Sequence, residues 1–157
     1  MSTVQQRGEA PDASALDGIA TDLTAWERAR MLQSRAAQRG FDWPDARAVV
    51  TKLYEEINEV LAEFDALQSD PDDPAAQDRI EDEIGDLLFV ATNLARHASV
   101  DADQAMHRAN AKFERRYRAM EVLARSRGKA LERASLEQQE AYWAATKASE
   151  KGNQCDV

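Results

Sequence analysis

Lys52-Leu-Tyr-Glu-Glu-Ile-Asn-Glu59 and Arg79-Ile-Glu-Asp-Glu-Ile-Gly-Asp86 decide the fold. In each, a basic residue is followed four positions later by a carboxylate, and three positions after that by a second: Lys52, Glu56, Glu59, then Arg79, Glu83, Asp86. Residues three and four apart share a helix face, so each stretch reads as two helical turns with one base and two acids on a single stripe. Apolar Leu53, Ile57, Val60 and Phe64 in the first helix, and Ile80, Ile84, Leu87 and Leu94 in the second, fall about 100° further round. The acids thus flank a core-facing stripe.

Packed helices sit roughly 8–10 Å apart, so carboxylates bordering two facing stripes can converge on one point. Four converging acids repel one another unless a cation neutralises them. Oxygen ligands without His or Cys suit Mg²⁺, Mn²⁺ or Ca²⁺ better than Zn²⁺. In a chain with 31% charged residues, acids three apart are also ordinary on solvated helix faces. Their position along the chain favours convergence. Glu59 and Glu83 stand at similar distances on either side of the loop Ser69-Asp-Pro-Asp-Asp-Pro74, roughly 12 and 14 Å along two antiparallel arms at the helical rise.

Outward from this hairpin, residues 1–20 are rich in Gly, Ala, Ser, Asp and Gln and read as a mobile leader. A first helix opens at the capping box Thr24-Ala-Trp-Glu27 and ends before Gly40, with Trp26, Ala29, Ala36, Ala37 and Met31 or Leu32 inward. The second runs from Pro44, at its first turn, to Leu67, with Val49, Val50, Leu53, Ile57, Val60, Leu61, Phe64 and Leu67 as its apolar stripe. The third starts at Asp73-Pro74, read as cap and first residue, and reaches His97. The fourth runs from Asp101 to near Gly128. Ser135-Leu-Glu-Gln138 opens a shorter fifth helix with Tyr142 and Trp143. Short links make this an all-α, antiparallel bundle of four long helices plus a short C-terminal helix over residues 21–150, followed by a tail, 151–157.

Composition narrows the functional classes. The net charge of −9 argues against a nucleic-acid polymer, whose binding depends on neutralising phosphates, but leaves a small nucleotide open. Single Cys155 excludes an internal disulfide and fits the reducing cytoplasm. No stretch is long and apolar enough to span a membrane, and the first twenty residues lack a signal-peptide core.

Helix four carries Lys112 and Arg116 four apart, with Phe113, Met120 and Leu123 towards its core. Such a pair can grip successive phosphates or form a solvated charged face. Trp143 is either a stacking surface for a base or a packing anchor. His97 and His107 belong to no Glu-x-x-His motif of the di-iron kind and read as structural or surface residues.

With these residues assembled, the chain resembles the MazG family of nucleoside triphosphate pyrophosphohydrolases, within the all-α NTP-pyrophosphatase superfamily. That family is marked by E-E-x-x-E and, after a gap, E-x-x-D, here Glu55-Glu56-Ile-Asn-Glu59 and Glu83-Ile-Gly-Asp86. The surrounding text matches too, in Gly40-Phe-Asp-Trp43, Asn93-Leu-Ala-Arg-His97 and Ala109-Asn-Ala-Lys-Phe-Glu-Arg-Arg116. The likeness covers roughly residues 24–147 and is to the second repeat of two-repeat MazG proteins, with no second copy in these 157 residues.

The resemblance implies that Glu56, Glu59, Glu83 and Asp86 hold Mg²⁺, with Mn²⁺ as a substitute. It further implies that Arg79, Lys112 and Arg116 contact a triphosphate, that Trp143 lies against the base, and that the protein is a homodimer or higher oligomer. Lys52 and Glu55 also match the signature. Glu55 falls about 100° off the acid stripe, and it assists a second metal, orients a water, or has no chemical role. The implied reaction cleaves an NTP or dNTP to the monophosphate and pyrophosphate by water attack at the α-phosphorus. A narrower enzyme for dUTP, dCTP or a damaged nucleotide shares the same acids. A non-catalytic helical interaction module has no need of them.

Overall fold

The computed structural model describes residues 13–154, and among them it contains helices and no strand. The helices are α1 (Ala25–Gln38), α2 (Ala46–Ser69), α3 (Ala76–His97), α4 (Ala102–Ser126) and α5 (Leu136–Gln154), with one 3₁₀ turn at Leu131–Arg133. The chain divides into two compact units, residues 1–102 and 103–157.

In the first unit α3 packs against both α2 and α1. The α2–α3 pair is an antiparallel hairpin: Arg79 meets Glu63, and four residues further along each arm Glu83 meets Glu59. Thr24 caps α1 with the expected reciprocal box, its hydroxyl accepting from Glu27 N at 3.3 Å while the Glu27 carboxylate accepts from Thr24 N at 2.9 Å. Gly40 then ends the helix at φ +86°, letting Phe41 N donate to Ala36 O at 3.1 Å.

Several local expectations shift. Asp45, not Pro44, starts α2, because its carboxylate accepts from Ala48 N at 2.9 Å; Pro44 lies one residue outside the cap. Asp73 does not cap α3 either. Its carboxylate accepts from Ala75 N and from Arg79 Nη2, both at 2.9 Å, so it fixes the loop and the helix begins at Ala76. Residues 13–20 of the expected leader form a turn against α1, where Arg28 and Arg35 donate to Ala20 O and Ala15 O. Residues 1–12 and Cys155 lie outside the described residues, while 151–154 of the expected tail continue α5.

The apolar stripes are only partly covered. Val49, Val60, Ile80 and Val90 are buried, whereas Val50, Ile57, Leu61, Phe64 and Ile84 are exposed. A stripe this wide exceeds the arc that one helical neighbour can cover.

In the second unit Met120, Ala124, Leu131 and Tyr142 form the core, with Leu123, Ala134 and Trp143 packed on it. Phe113, expected inside, is exposed and stacks on Tyr117 with ring centres 6.0 Å apart. Ser135 opens α5, its hydroxyl accepting from Gln138 N at 3.3 Å, and the helix reaches 19 residues, longer than expected. No described helix is long and apolar enough to cross a membrane.

Candidate active site

Carboxylate oxygens of Glu56 and Glu59 from α2 and of Glu83 from α3 all lie within 4.8 Å of one another. Two helical arms therefore bring three of the four expected acids to one point. Glu56 is the innermost, 3% exposed. Its Oε1 accepts from Lys52 Nζ at 2.8 Å, and Lys52 also reaches Glu55 Oε1 at 2.8 Å. Its Oε2 is buried with no partner. Leaving such an acceptor unsatisfied costs about 1–3 kcal/mol, so the atom points to a missing ligand.

The electrostatics agree. Glu59 is exposed as a residue, but its carboxyl faces the cluster. Desolvation there, a hydrogen bond with Glu56 and the charges of Glu56 and Glu83 raise its affinity for a proton above the usual carboxylate range, against the opposing pull of Lys52. Lys52 is held protonated still more firmly than an ordinary lysine, by Glu55 and then Glu56. The cluster thus contains more acid than one ammonium neutralises. Its all-oxygen donor set and the orphaned Glu56 Oε2 fit a hard divalent cation.

Asp86 is exposed and lies one turn beyond Glu83 on α3, outside the group of three. Glu55 is likewise outside it, exposed and paired with Lys52. Arg79 is clasped at the loop end of the hairpin, its Nε 2.7 Å from Glu63 Oε2 and its Nη2 2.9 Å from Asp73 Oδ2. These two partners, Glu63 first, strengthen its hold on its proton. Neither was anticipated as a partner, although Glu56, Glu59 and Glu63 recur at i, i+3 and i+7 and so share one face.

Lys112, Arg116 and Trp143 belong to the second unit. Lys112 is exposed on α4. Arg116 is half-buried, with Nε 2.8 Å from Glu150 Oε2 and its guanidinium 5.6 Å from the centre of the Trp143 ring. Glu150 also accepts from Arg115 Nε at 2.9 Å, and these two guanidinium groups, Arg116 first, hold its carboxyl below the usual range. A carboxylate thereby occupies the arginine pair as a phosphate oxygen would. Phe113 contacts Trp143 with ring centres 5.6 Å apart, so the indole serves as a packing anchor in this arrangement.

An all-α protein whose helical hairpin gathers three carboxylates, one of them with a buried unpartnered oxygen, is a candidate phosphate-chemistry enzyme that uses a divalent ion. Residues 45–120, spanning α2, α3 and the first part of α4, match the model of the MazG nucleotide pyrophosphohydrolase domain. Over that stretch the chain is similar to the MazG family. It is 42% identical over 146 residues to the nucleoside triphosphate pyrophosphohydrolase of Escherichia coli strain K12, covering 93% of this chain and 53% of that protein. It is 33% identical over 147 residues to the nucleoside triphosphate pyrophosphohydrolase/pyrophosphatase MazG of Thermotoga maritima, covering 94% and 53%. The chain thus spans about half the length of the curated relatives it matches.

Proposed function

We propose that this protein hydrolyses nucleoside triphosphates, ribo- or deoxyribo-, to the monophosphate and pyrophosphate in the cytoplasm. The observation that carries the reading is the convergence of Glu56, Glu59 and Glu83, the first of which keeps a buried, unpartnered Oε2. The printed names of the relatives point the same way.

Glu56, Glu59 and Glu83, joined by Asp86 from the next turn, are the residues that would hold Mg²⁺, or Mn²⁺ in its place. When bound, such an ion supplies a Lewis acid for phosphoryl oxygens and lowers the pKa of a coordinated water. Lys52 holds the Glu56 carboxylate in position through their ion pair. A carboxylate of the cluster, or Glu55 beside it, accepts the proton of the attacking water. The new bond joins that water oxygen to the α-phosphorus; the bond from the α-phosphorus to the bridging oxygen breaks, and pyrophosphate leaves with the electron pair. Lys112, Arg116 and Arg79 are the cations assigned to the leaving phosphates, which requires Arg116 to exchange Glu150 and Arg79 to exchange Glu63 or Asp73 for phosphate oxygens. Trp143 is assigned to the base.

A homodimer or higher oligomer belongs to the same proposal. Exposed Val50, Ile57, Leu61 and Phe64 give α2 an apolar face for a second copy. The test is a panel of NTPs and dNTPs assayed for monophosphate and pyrophosphate, with and without Mg²⁺. Metal-dependent release of pyrophosphate, lost in Glu56→Gln, is the expected result. Absence of pyrophosphate from every triphosphate would refute the reading.

A further inference from the structure

We propose that Glu150 of α5 is a built-in stand-in for phosphate: its carboxylate keeps Arg115 and Arg116 occupied until a triphosphate displaces it, and Arg115 is thereby a second arginine of the phosphate site. The inference rests on the phosphate role given above to Arg116, and it adds to that role a competitor and a partner.

Arg115 and Arg116 are neighbours in sequence, so their side chains leave α4 about 100° apart. They nevertheless meet at one group. Arg115 Nε donates to Glu150 Oε1 at 2.9 Å and Arg116 Nε donates to Glu150 Oε2 at 2.8 Å, across 35 and 34 positions of chain. Each carboxylate oxygen serves one guanidinium, as two oxygens of a single phosphate would. Among the described ion pairs neither arginine has another acid, so two positive charges face one negative charge.

That excess sets the direction of exchange. A carboxylate brings one charge and two oxygens, whereas a terminal phosphate brings about −1.5 to −2 charges and three oxygens. A triphosphate therefore neutralises the pair more completely than Glu150 does. Arg116 also has a support that does not depend on the carboxylate. Its guanidinium lies 5.6 Å from the centre of the Trp143 ring, and Phe113 backs that ring with centres 5.6 Å apart. The indole keeps the guanidinium in place when Glu150 leaves.

Arg115 borders the surface on which the incoming anion lands. With Arg108 and Lys112 it lines an open depression along α4 whose remaining walls are alanines, and no acid belongs to the lining. Arg108, Lys112, Arg115 and Arg116 fall within an arc of about 100° at the helical step per residue. The Arg115 side chain is 62% exposed against 21% for Arg116, so it is the outer of the two and the first to meet a ligand. Glu150 acts in this exchange as a charge and not as a proton switch, since the two guanidinium groups, Arg116 first, hold its carboxyl below the usual range.

Calorimetry of the full chain with inorganic tripolyphosphate, in buffer without divalent metal, tests the exchange apart from turnover. Glu150→Gln keeps the shape of the side chain and removes its charge. It should bind tripolyphosphate about 5-fold more tightly, the scale of one partly exposed ion pair no longer in competition. Arg115→Gln made in the Glu150→Gln background should reverse that gain, because the ligand loses its second arginine. In pyrophosphate release from the triphosphates, Glu150→Gln should lower KM by a similar factor with kcat little changed. Affinity unchanged or weakened in Glu150→Gln overturns the proposal and makes Glu150 a brace between α4 and α5. Affinity indifferent to Arg115 in the Glu150→Gln background overturns the assignment of Arg115. Tighter tripolyphosphate binding with no pyrophosphate released from any triphosphate keeps the competitor and sinks the hydrolase reading. Pyrophosphate release with KM and tripolyphosphate affinity both indifferent to Glu150 does the reverse. A thermal melt checks that the fold survives; should Glu150→Gln unfold, Glu150→Asp, which keeps the charge but withdraws it by one methylene from the two Nε atoms, takes its place with the same expected tightening.

Discussion

Lys52 Nζ lies 2.8 Å from Glu56 Oε1, one helical turn away, and is the only cation among the described ion pairs that touches the innermost acid. Remove that ammonium and a carboxylate 4% exposed loses its countercharge while Glu59 and Glu83 remain beside it. Lys52→Met should therefore lower the apo melting midpoint by roughly 2–12 °C, from a loss of about 1–3 kcal/mol in a chain of this length. Added Mg²⁺ should restore part of the loss by supplying the missing positive charge. An apo midpoint equal to that of the wild type would show that Glu56 does not depend on Lys52.

Glu56→Gln, Glu83→Gln and Asp86→Asn separate ligands from bystanders. Saturating Mg²⁺ at about 100 times its dissociation constant should stabilise the wild type by about 2.7 kcal/mol. Each of the three variants should lose most of that gain, and turnover should fall about 100-fold or more, as it does when a group stabilising transition-state charge is removed. Asp86 is the informative case. It stands outside the group of three but on the same helix face, one turn past Glu83, so a change of side-chain rotamer brings it to the ion. Full Mg²⁺ stabilisation in Asp86→Asn would remove it from the ligand set.

The meeting of α2 and α3 was legible because it is arithmetic along the chain: equal distances from one loop place Glu59 opposite Glu83. The Thr24–Glu27 box and the Gly40 stop were legible because caps are local. What could not be read depends on contacts distant in sequence. Gln33 sits among half-buried apolar residues of α1, and nothing in its own neighbourhood tells that its amide will reach Phe89 O, 56 positions away. Asp42 and Arg96, 54 apart, form an ion pair for which neither segment carries a signal. Asp73-Pro74 was misread for the opposite reason. Its local signature is that of a helix start, and the attraction of Arg79 diverts the carboxylate.

Asp42 gives the first unit an acid-sensitive joint between the link and the end of α3. Arg96 above all, then His97 and the Trp43 amide, hold its carboxyl below the usual range despite partial desolvation. Its folded pKa is thus lower than the unfolded value of about 3.9, so the stability it contributes is complete above that value and disappears as pH falls through the folded pKa. Asp42→Asn should unfold at a lower temperature at neutral pH. Below about pH 4 its stability should fall less steeply with acidification than that of the wild type. Parallel curves for the two proteins over that range would mean the Asp42–Arg96 pair contributes nothing to folding.

Ser99 closes α3 in a conformation that suits another residue. Its φ is +56°, and through it Val100 N donates to Ala95 O at 2.8 Å, the same ending that Gly40 gives α1 and Gly128 gives α4. A side chain in this left-handed region crowds its own backbone, and glycine does not. Ser99→Gly should therefore stabilise the protein by about 0.5–1 kcal/mol, or roughly 1–4 °C. Ser99→Val, β-branched and less tolerant of positive φ, should destabilise it by at least as much. Because Ser99 is exposed, neither change disturbs packing, and the order Gly, Ser, Val isolates the backbone contribution. Equal melting midpoints for Gly and Val would show that the end of α3 is not held in this turn in solution.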